Sequence, residues 1–292
     1  MDAYLNPYRK MKNLLISGLC LCMTLMTLGG VHAQETKLNI TSFNIRYANP
    51  NDAPDTWDKR HPVIANMIRF HEMDIVGIQE GLDRQVYDLS EGLRDYDYVG
   101  VGRDDGKEKG EFSAIFYNKD KVKVLDSDTF WLSEDTTQPN RGWDAQLPRI
   151  CTWAKFESLE TGKQFYVFNT HFDHVGVKAR SESASLIMKK AKEIAGNGTV
   201  ILTGDFNIDQ QNEAYKRLST SDMFNDSYDV AYLVYANNGT FNSFDNTKST
   251  DRRIDHIFVT NDVKVEKYGI LTDTYHNRFP SDHFPVMVKV VF

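Results

Sequence analysis

Acidic, carboxamide and imidazole side chains recur in this sequence where apolar runs begin or end. The segments SFN, IQE, NTH, GDFN, RIDH and SDH contribute Asn44, Glu80, His171, Asp205, Asn207, Asp255, Asp282 and His283. Carboxylates at buried or half-buried positions cost free energy unless a cation or hydrogen bonds compensate them. Four acids gathered with two histidines and two carboxamides are therefore interpreted as a metal or acid–base centre.

Each of these motifs is ambiguous when it stands alone. The Gly-Asp pair at Asp205 is typical of an ordinary turn, and the NTH segment is equally compatible with a capped loop. Asp255 alone could be an inward polar residue that backbone amides satisfy. The specificity of the signal lies in the combination of all six motifs in this chain order.

Strands and helices must position these side chains. Strand-like runs, with the mixed alternating and continuous apolar patterns of strands packed on one or both faces, occur at 38–45, 74–79, 112–118, 150–158, 165–172, 199–206, 253–260 and 284–292. Segments 57–71 and 178–195 carry apolar residues at helical spacing. No linker or repeat divides residues 34–292, so we predict one α/β domain with two packed sheets, helices outside and a β-hairpin within 112–130.

The net charge argues against long-range attraction to nucleic acid. The chain has 292 residues, of which 41% are apolar and 26% charged, a globular composition with a net charge of −7. Without residues 1–33 the chain keeps 31 basic and 40 acidic residues, a net charge of −9. A polyanionic substrate would therefore have to meet a local basic patch or a bound cation.

Residues 1–33 are predicted to be a secretory signal peptide. Lys10 and Lys12 precede an apolar run from Leu14 to Leu28, and a small-residue site ends at Ala33. The alternative is a membrane anchor, but a span needs ~20 apolar residues and this run is shorter. We therefore expect a secreted or periplasmic, monomeric protein of residues 34–292 without stable membrane insertion.

The ordered motifs closely resemble the endonuclease/exonuclease/phosphatase (DNase I-like) superfamily over about residues 38–292. Within it, NTHFDH and the spacing toward RIDHIF look most similar to the deadenylase-related branch and to secreted bacterial members. The resemblance implies a four-layer α/β sandwich, in which helices flank two packed mixed β-sheets and the site lies at the carboxyl ends of the strands. It also implies a metal-dependent phosphoric ester hydrolase.

The resemblance implies how a cation would be held. Glu80, helped by Asn44, would bind the divalent cation, and Asp282 would complete or orient its coordination shell. Oxygen and amide ligands without metal-spaced cysteines favour Mg²⁺ or Mn²⁺ over Zn²⁺.

The remaining motif residues would carry the proton transfers and stabilise the phosphoryl group. Asp255 would fix the tautomer of His283, while Asp205 and Asn207 would position the attacking water and His171 would donate to a phosphoryl oxygen. Either Asp205 or the Asp255–His283 pair is the base, and the sequence leaves this choice open.

Two long polar segments, 133–149 and 237–253, are expected to form the substrate rim. We predict substrate contacts from Trp143, Arg149, His174 and Phe244, although Arg149 fits an ordinary surface arginine equally well. Aromatic rings beside cations favour a phosphodiester in a nucleotide or short single-stranded nucleic acid. The alternatives are an inositol-phosphate or sphingomyelin-type substrate and, more remotely, a catalytically silent binding module.

The first testable prediction concerns processing. We expect cleavage after Ala33, because the apolar run and the small residues before Gln34 form a signal-peptidase site. Intact mass of protein recovered from the periplasmic or extracellular fraction should begin at Gln34. A full-length species recovered from membranes would contradict this prediction.

Overall fold

The computed structural model of the protein describes residues 34–292. The predicted signal peptide, residues 1–33, lies outside the described residues. Among the helices of residues 34–292, none has both the length and the apolarity needed to cross a membrane.

Two mixed β-sheets form the centre of the fold. The seven-stranded sheet contains, in spatial order, β10 (Leu233–Tyr235), β12 (Lys264–Ile270), β13 (Val286–Val291), β1 (Lys37–Asn44), β2 (Ile75–Gln79), β4 (Ile115–Asn118) and β3 (Tyr96–Val99). The six-stranded sheet contains β5 (Val122–Trp131), β6 (Ile150–Ser158), β7 (Gln164–His171), β8 (Val200–Asp205), β11 (Asp255–Val259) and β9 (Asn225–Asp226). The pairs β1–β2, β10–β12 and β7–β8 are parallel, whereas the other pairs are antiparallel.

Helices cover the outer face of each sheet. They are α1 (Trp57–Phe70), α2 (Asp83–Gly92), α3 (Val177–Ala195), α4 (Glu213–Ser219) and α5 (Ser227–Val230). Apolar side chains of α1 and α2 pack against the seven-stranded sheet, and those of α3 and α4 pack against the six-stranded sheet. A third apolar layer, which includes Ile40, Ile75, Phe156 and Val167, fills the space between the sheets. The predicted four-layer α/β sandwich is therefore confirmed.

The predicted strands and helices are present with small boundary differences, but the predicted hairpin within 112–130 is wrong. Three residues connect β4 to β5, yet the two strands belong to different sheets. Both edges of β4 are already occupied, because it pairs with β2 on one side and β3 on the other. The chain therefore crosses from one sheet to the other at this turn.

A buried carboxamide joins the two sheets close to the ends of their strands. Asn169 in β7 donates from Nδ2 to the carbonyl oxygens of Ile78 (2.8 Å) and Ala114 (2.9 Å) in the opposite sheet. Its Oδ1 accepts hydrogen bonds from Gln79 Nε2 (2.7 Å) and Thr203 Oγ1 (3.0 Å). Both donors and both acceptor positions of the amide are thus used, which is the condition for burying it without a large penalty.

Gly77 in β2 allows the sheets to approach this closely. A Cβ added at Gly77 would overlap Thr203 Oγ1 and would lie 2.6 Å from Asn169 Oδ1. Neither neighbour can move freely, because Asn169 Oδ1 accepts the inter-sheet hydrogen bond from Gln79 Nε2 and Thr203 Oγ1 donates to the same oxygen within its own sheet.

We expect Gly77→Ala to lower the free energy of unfolding by about 1–3 kcal/mol, the usual cost of overpacking a core. Gly269→Ala in β12 is the matched control, because the nearest atoms to its added Cβ lie at 3.8 Å. The control should change the free energy of unfolding by less than about 0.5 kcal/mol. Denaturant titration of both variants measures the free energy of unfolding. Equal changes in the two variants would show that the residues around Gly77 can move to accommodate the added Cβ.

Candidate active site

The ends of β1, β2, β7 and β8 and the start of β11 bring predicted polar residues together. In the parallel pair β1–β2, Asn44 lies opposite Gln79, and in the parallel pair β7–β8, His171 lies opposite Asp205. The antiparallel strand β11 begins at Asp255, which pairs with Asp205. Because parallel strands end at the same edge of a sheet, residues far apart in sequence meet here.

The backbone turns sharply just beyond these strand ends. Glu80, Asn207 and Arg46 have φ values of 64°, 51° and 58°, in the left-handed region that non-glycine residues seldom adopt. Such strained positions cost free energy and cluster at functional sites. Here a hydrogen bond accompanies each turn: Tyr47 N donates to Glu80 Oε2 (3.1 Å), and Asn207 N donates to Asp205 Oδ1 (2.9 Å).

Asn44 holds two carboxylates that come from different sheets. Its Nδ2 donates to Glu80 Oε1 (3.0 Å) and to Asp205 Oδ2 (2.9 Å), while its Oδ1 accepts from Arg46 N (3.0 Å). The side chain is completely buried. Asn44 therefore orients the acids around the centre of the site.

The carboxylates and one imidazole could hold a metal ion. Glu80, Asp205 and His283 each offer one ligand atom, and these three atoms lie within 4.8 Å of one another. A set dominated by carboxylate oxygens fits a hard divalent cation. Of the other predicted metal ligands, Asn44 directs its amide nitrogen toward the acids, and Asp282 contacts Arg46 Nε at 3.7 Å.

His283 and Asp255 form a buried pair. His283 Nδ1 lies 2.9 Å from Asp255 Oδ2, and its Nε2 lies 3.8 Å from Asp205 Oδ2. Burial alone would lower the pKa of His283, but attraction by Asp255 and Asp205 raises this pKa well above the usual value. Burial, reinforced by Asp255, raises the pKa of Asp205 to about 7. Both predicted candidates for the base thus face the same space.

His171 is held by Asn207, whose Nδ2 lies 3.1 Å from His171 Nε2 and donates to Phe172 O at 3.0 Å. Burial and the nearby Arg149 lower the pKa of His171 well below its usual value, so the ring is neutral near pH 7. When Nε2 accepts from Asn207, the ring proton lies on Nδ1, which is 3.8 Å from Glu111 Oε2. The predicted hydrogen bond from His171 to a phosphoryl oxygen stays a prediction.

Glu111 and Arg149 line one side of the site, and Arg103 is paired with Glu111. Arg103, which the sequence analysis missed, forms a bidentate ion pair with Glu111 at 2.6 and 3.0 Å. Arg149 is buried beside it, with Nη2 3.0 Å from His174 Nδ1 and Nε 3.4 Å from Asp173 Oδ2. Arg149 is therefore not an ordinary surface arginine. Glu111 directly precedes the predicted strand 112–118, so the strand-end pattern could have identified it, whereas Arg103 adjoins none of the predicted strands.

A cavity of about 550 Å³ opens onto these groups, and we call it the site cavity. Eight of the twelve predicted residues line it: Glu80, Arg149, His171, His174, Asp205, Asn207, Asp282 and His283. Asn44 and Asp255 are buried behind its wall, where they contact the lining acids and His283. The additional lining residues include Arg46, Tyr47, Glu111 and Phe241.

The two predicted aromatic contacts do not line the site cavity. Trp143 is half-buried in segment 133–149, and the Phe244 ring packs 5.5 Å from the Arg60 guanidinium. Phe241 lines the cavity instead, and its ring contacts the His283 ring edge-on at 5.0 Å. The sequence pattern placed an aromatic residue in this segment but could not tell Phe241 from Phe244.

Comparison with known proteins agrees with this arrangement. The chain matches the profile of the Endonuclease/Exonuclease/phosphatase family over residues 41–283. It is 49% identical to a protein of this family from Bacteroides thetaiotaomicron, with a TM-score of 0.87 over 89% of this chain and 96% of that one. It is 50% identical to the mannosyl-6-phosphatase of Bacteroides thetaiotaomicron, with a TM-score of 0.86 over 87% of this chain and 100% of that one.

A more distant likeness concerns the fold alone. The catalytic domain of human Nocturnin superposes with a TM-score of 0.68 at 18% identity, over 87% of this chain and 93% of that one. The family that the ordered motifs indicated is thus confirmed by matches that span most of the described residues.

We expect His283→Ala to lower turnover of a phosphate ester by about 10²–10⁴, the usual contribution of a positioned acid–base group. Asp255→Asn should act through His283, because its Oδ2 contacts His283 Nδ1. The double variant should then be little worse than His283→Ala alone. Steady-state kinetics of the single and double variants complete the cycle, and additive losses would show that the two residues act independently.

Proposed function

We propose that this chain, which belongs to the endonuclease/exonuclease/phosphatase family and is a phosphoester hydrolase, removes the phosphate from a phosphorylated sugar with Mg²⁺ or Mn²⁺ as cofactor. One observation carries the substrate class: the chain is 50% identical to a mannosyl-6-phosphatase over the whole length of that protein. The signal-like residues 1–33 support action in the periplasm or outside the cell.

The shape and charge of the site favour a small phosphate ester over a polymer. The stacking surface that the sequence suggested for nucleic acid depended on Trp143 and Phe244, and neither lines the site cavity. The described residues also carry a net charge of −9, which gives no long-range attraction for a polyanion. A nucleotide or short single strand is the second candidate, because Tyr47 and Phe241 do line the cavity and aromatic rings stack on bases.

The donor set supports a hard cation at the centre of the site. Glu80 would hold it, with Asp205 and His283 bounding the same space and Asn44 orienting the two carboxylates. When bound, a divalent cation neutralises a non-bridging phosphate oxygen and the leaving oxygen. It would also offset the free-energy cost of burying the carboxylates together.

The protein's own residues account for positioning and proton transfer. Asp205 is placed to accept a proton from the attacking water, and Asn207 lies beside it to orient that water. Asp255 holds His283 at Nδ1 and, with Asp205, raises its pKa well above the usual value, while Nε2 faces Asp205. In its protonated form His283 would stabilise negative charge as it builds on the phosphoryl group.

Phosphate release by the purified protein tests this proposal. We expect mannose 6-phosphate to give a higher kcat/KM than single-stranded oligonucleotides, inositol phosphates or sphingomyelin. Activity should disappear in chelator and return with Mg²⁺ or Mn²⁺. Glu80→Gln, which keeps the shape of the side chain, should weaken metal binding, whereas the exposed control Glu193→Gln should not. Preference for an oligonucleotide, or full activity in chelator, would overturn the proposal.

A further inference from the structure

A second cavity, of about 330 Å³, adjoins the site cavity, and we call it the vestibule. The two cavities share Asn207, Phe241 and Ile254 as lining residues. Lys248, Ser249, Thr250 and Arg252 supply the remainder of the vestibule wall. Its volume lies at the lower end of the range of small-molecule sites, about 300–1,000 Å³. A group attached to a phosphate in the site cavity could therefore extend into the vestibule.

The vestibule is cationic and hydroxyl-rich although the whole protein is acidic. Lys248, Arg252, Ser249 and Thr250 line it, and no carboxylate does among the described residues. Arg252 Nε is engaged by Asp209 Oδ2 at 2.8 Å. Within residues 34–292, Lys248 Nζ has no carboxylate within 4.0 Å, and it lies 5.8 Å from the centre of the Phe241 ring. Lys248 is thus the cation best able to donate hydrogen bonds to a ligand.

Phe241 lines both the vestibule and the site cavity. Its ring contacts the His283 ring edge-on at 5.0 Å, and it is 39% exposed, unlike the aromatic residues of the core. An aromatic ring with an exposed surface beside hydroxyl and ammonium donors suits a sugar, which has apolar C–H groups on its ring and hydroxyl groups around it.

We propose that the vestibule is the leaving-group subsite, in which Phe241 and Lys248 bind the sugar ring of the substrate while its phosphate occupies the site cavity. This inference rests on the proposed sugar phosphatase activity. Water forms a new bond to phosphorus as the bond from phosphorus to the sugar oxygen breaks, and the sugar oxygen takes up the proton that Asp205 accepts from the water. The sugar is attached directly to the phosphate, so a phosphate in the site cavity brings the ring to the adjoining vestibule. A second anionic group is less favoured, because Arg252 is already paired with Asp209.

The test compares two phosphate esters that differ only in the leaving group. We expect Lys248→Ala to lower the ratio of kcat/KM for mannose 6-phosphate to kcat/KM for methyl phosphate about tenfold, which is typical for a hydrogen bond from a charged donor. The change should appear mainly in KM. Lys248→Arg should restore much of the ratio. Lys189→Ala, which removes an exposed lysine from α3, is the control and should keep the wild-type ratio.

A second variant tests whether the change in the kcat/KM ratio arises only from the lost charge of Lys248. Phe241→Leu keeps an apolar side chain next to His283 but removes the ring, and it should also lower the ratio. An unchanged ratio in both variants would overturn the subsite while leaving the phosphatase activity intact. A loss that is larger for a sugar bisphosphate or a dinucleotide would overturn it in favour of an anion subsite. Failure of the wild-type protein to hydrolyse mannose 6-phosphate would overturn the proposed function as well.

Discussion

The carboxamide of Asn169 is the contact on which the geometry of the site depends. It is fully buried between the sheets, and three of its four hydrogen bonds join β7 to β2 and to the residue before β4. An unsatisfied amide in this place would cost about 1–3 kcal/mol, so the two sheets have one favoured alignment. Glu80 directly follows β2 and His171 ends β7, so this alignment places the two halves of the site against each other.

The site then has to accommodate several acids in little space. Asn44 donates to Glu80 and Asp205 at once, and His283 neutralises Asp255 and faces Asp205. These contacts do not remove the cost, since burial still raises the pKa of Asp205 to about 7. Acids clustered in this way lower the stability of the protein, as is common where residues are positioned for chemistry.

Cationic side chains lie close to the site although the net charge of the chain is negative. The chain as a whole is acidic, yet Arg149 lies buried in one wall of the site cavity and Lys248 lines the adjoining vestibule. The net negative charge gives no long-range attraction for a duplex or long polyanion, whereas a single phosphate can contact the local cations directly. This distribution agrees with a phosphorylated sugar better than with the nucleic acid that the loop aromatics suggested.

Much of this protein could be predicted from the sequence, because the signals are local. Apolar periodicity identified most of the long strands and helices, and polar residues at the strand ends identified the family and the residues around Glu80, Asp205 and His283. What remained undetermined depends on residues distant in the chain. Asn44 and Asp205, which share a hydrogen bond, are 161 positions apart. Two features were decided only by the packing of the sheets: β4 and β5 belong to different sheets, and Phe241 rather than Phe244 faces the site cavity. Strand pairing and side-chain direction are set by long-range packing, so the sequence alone does not determine them.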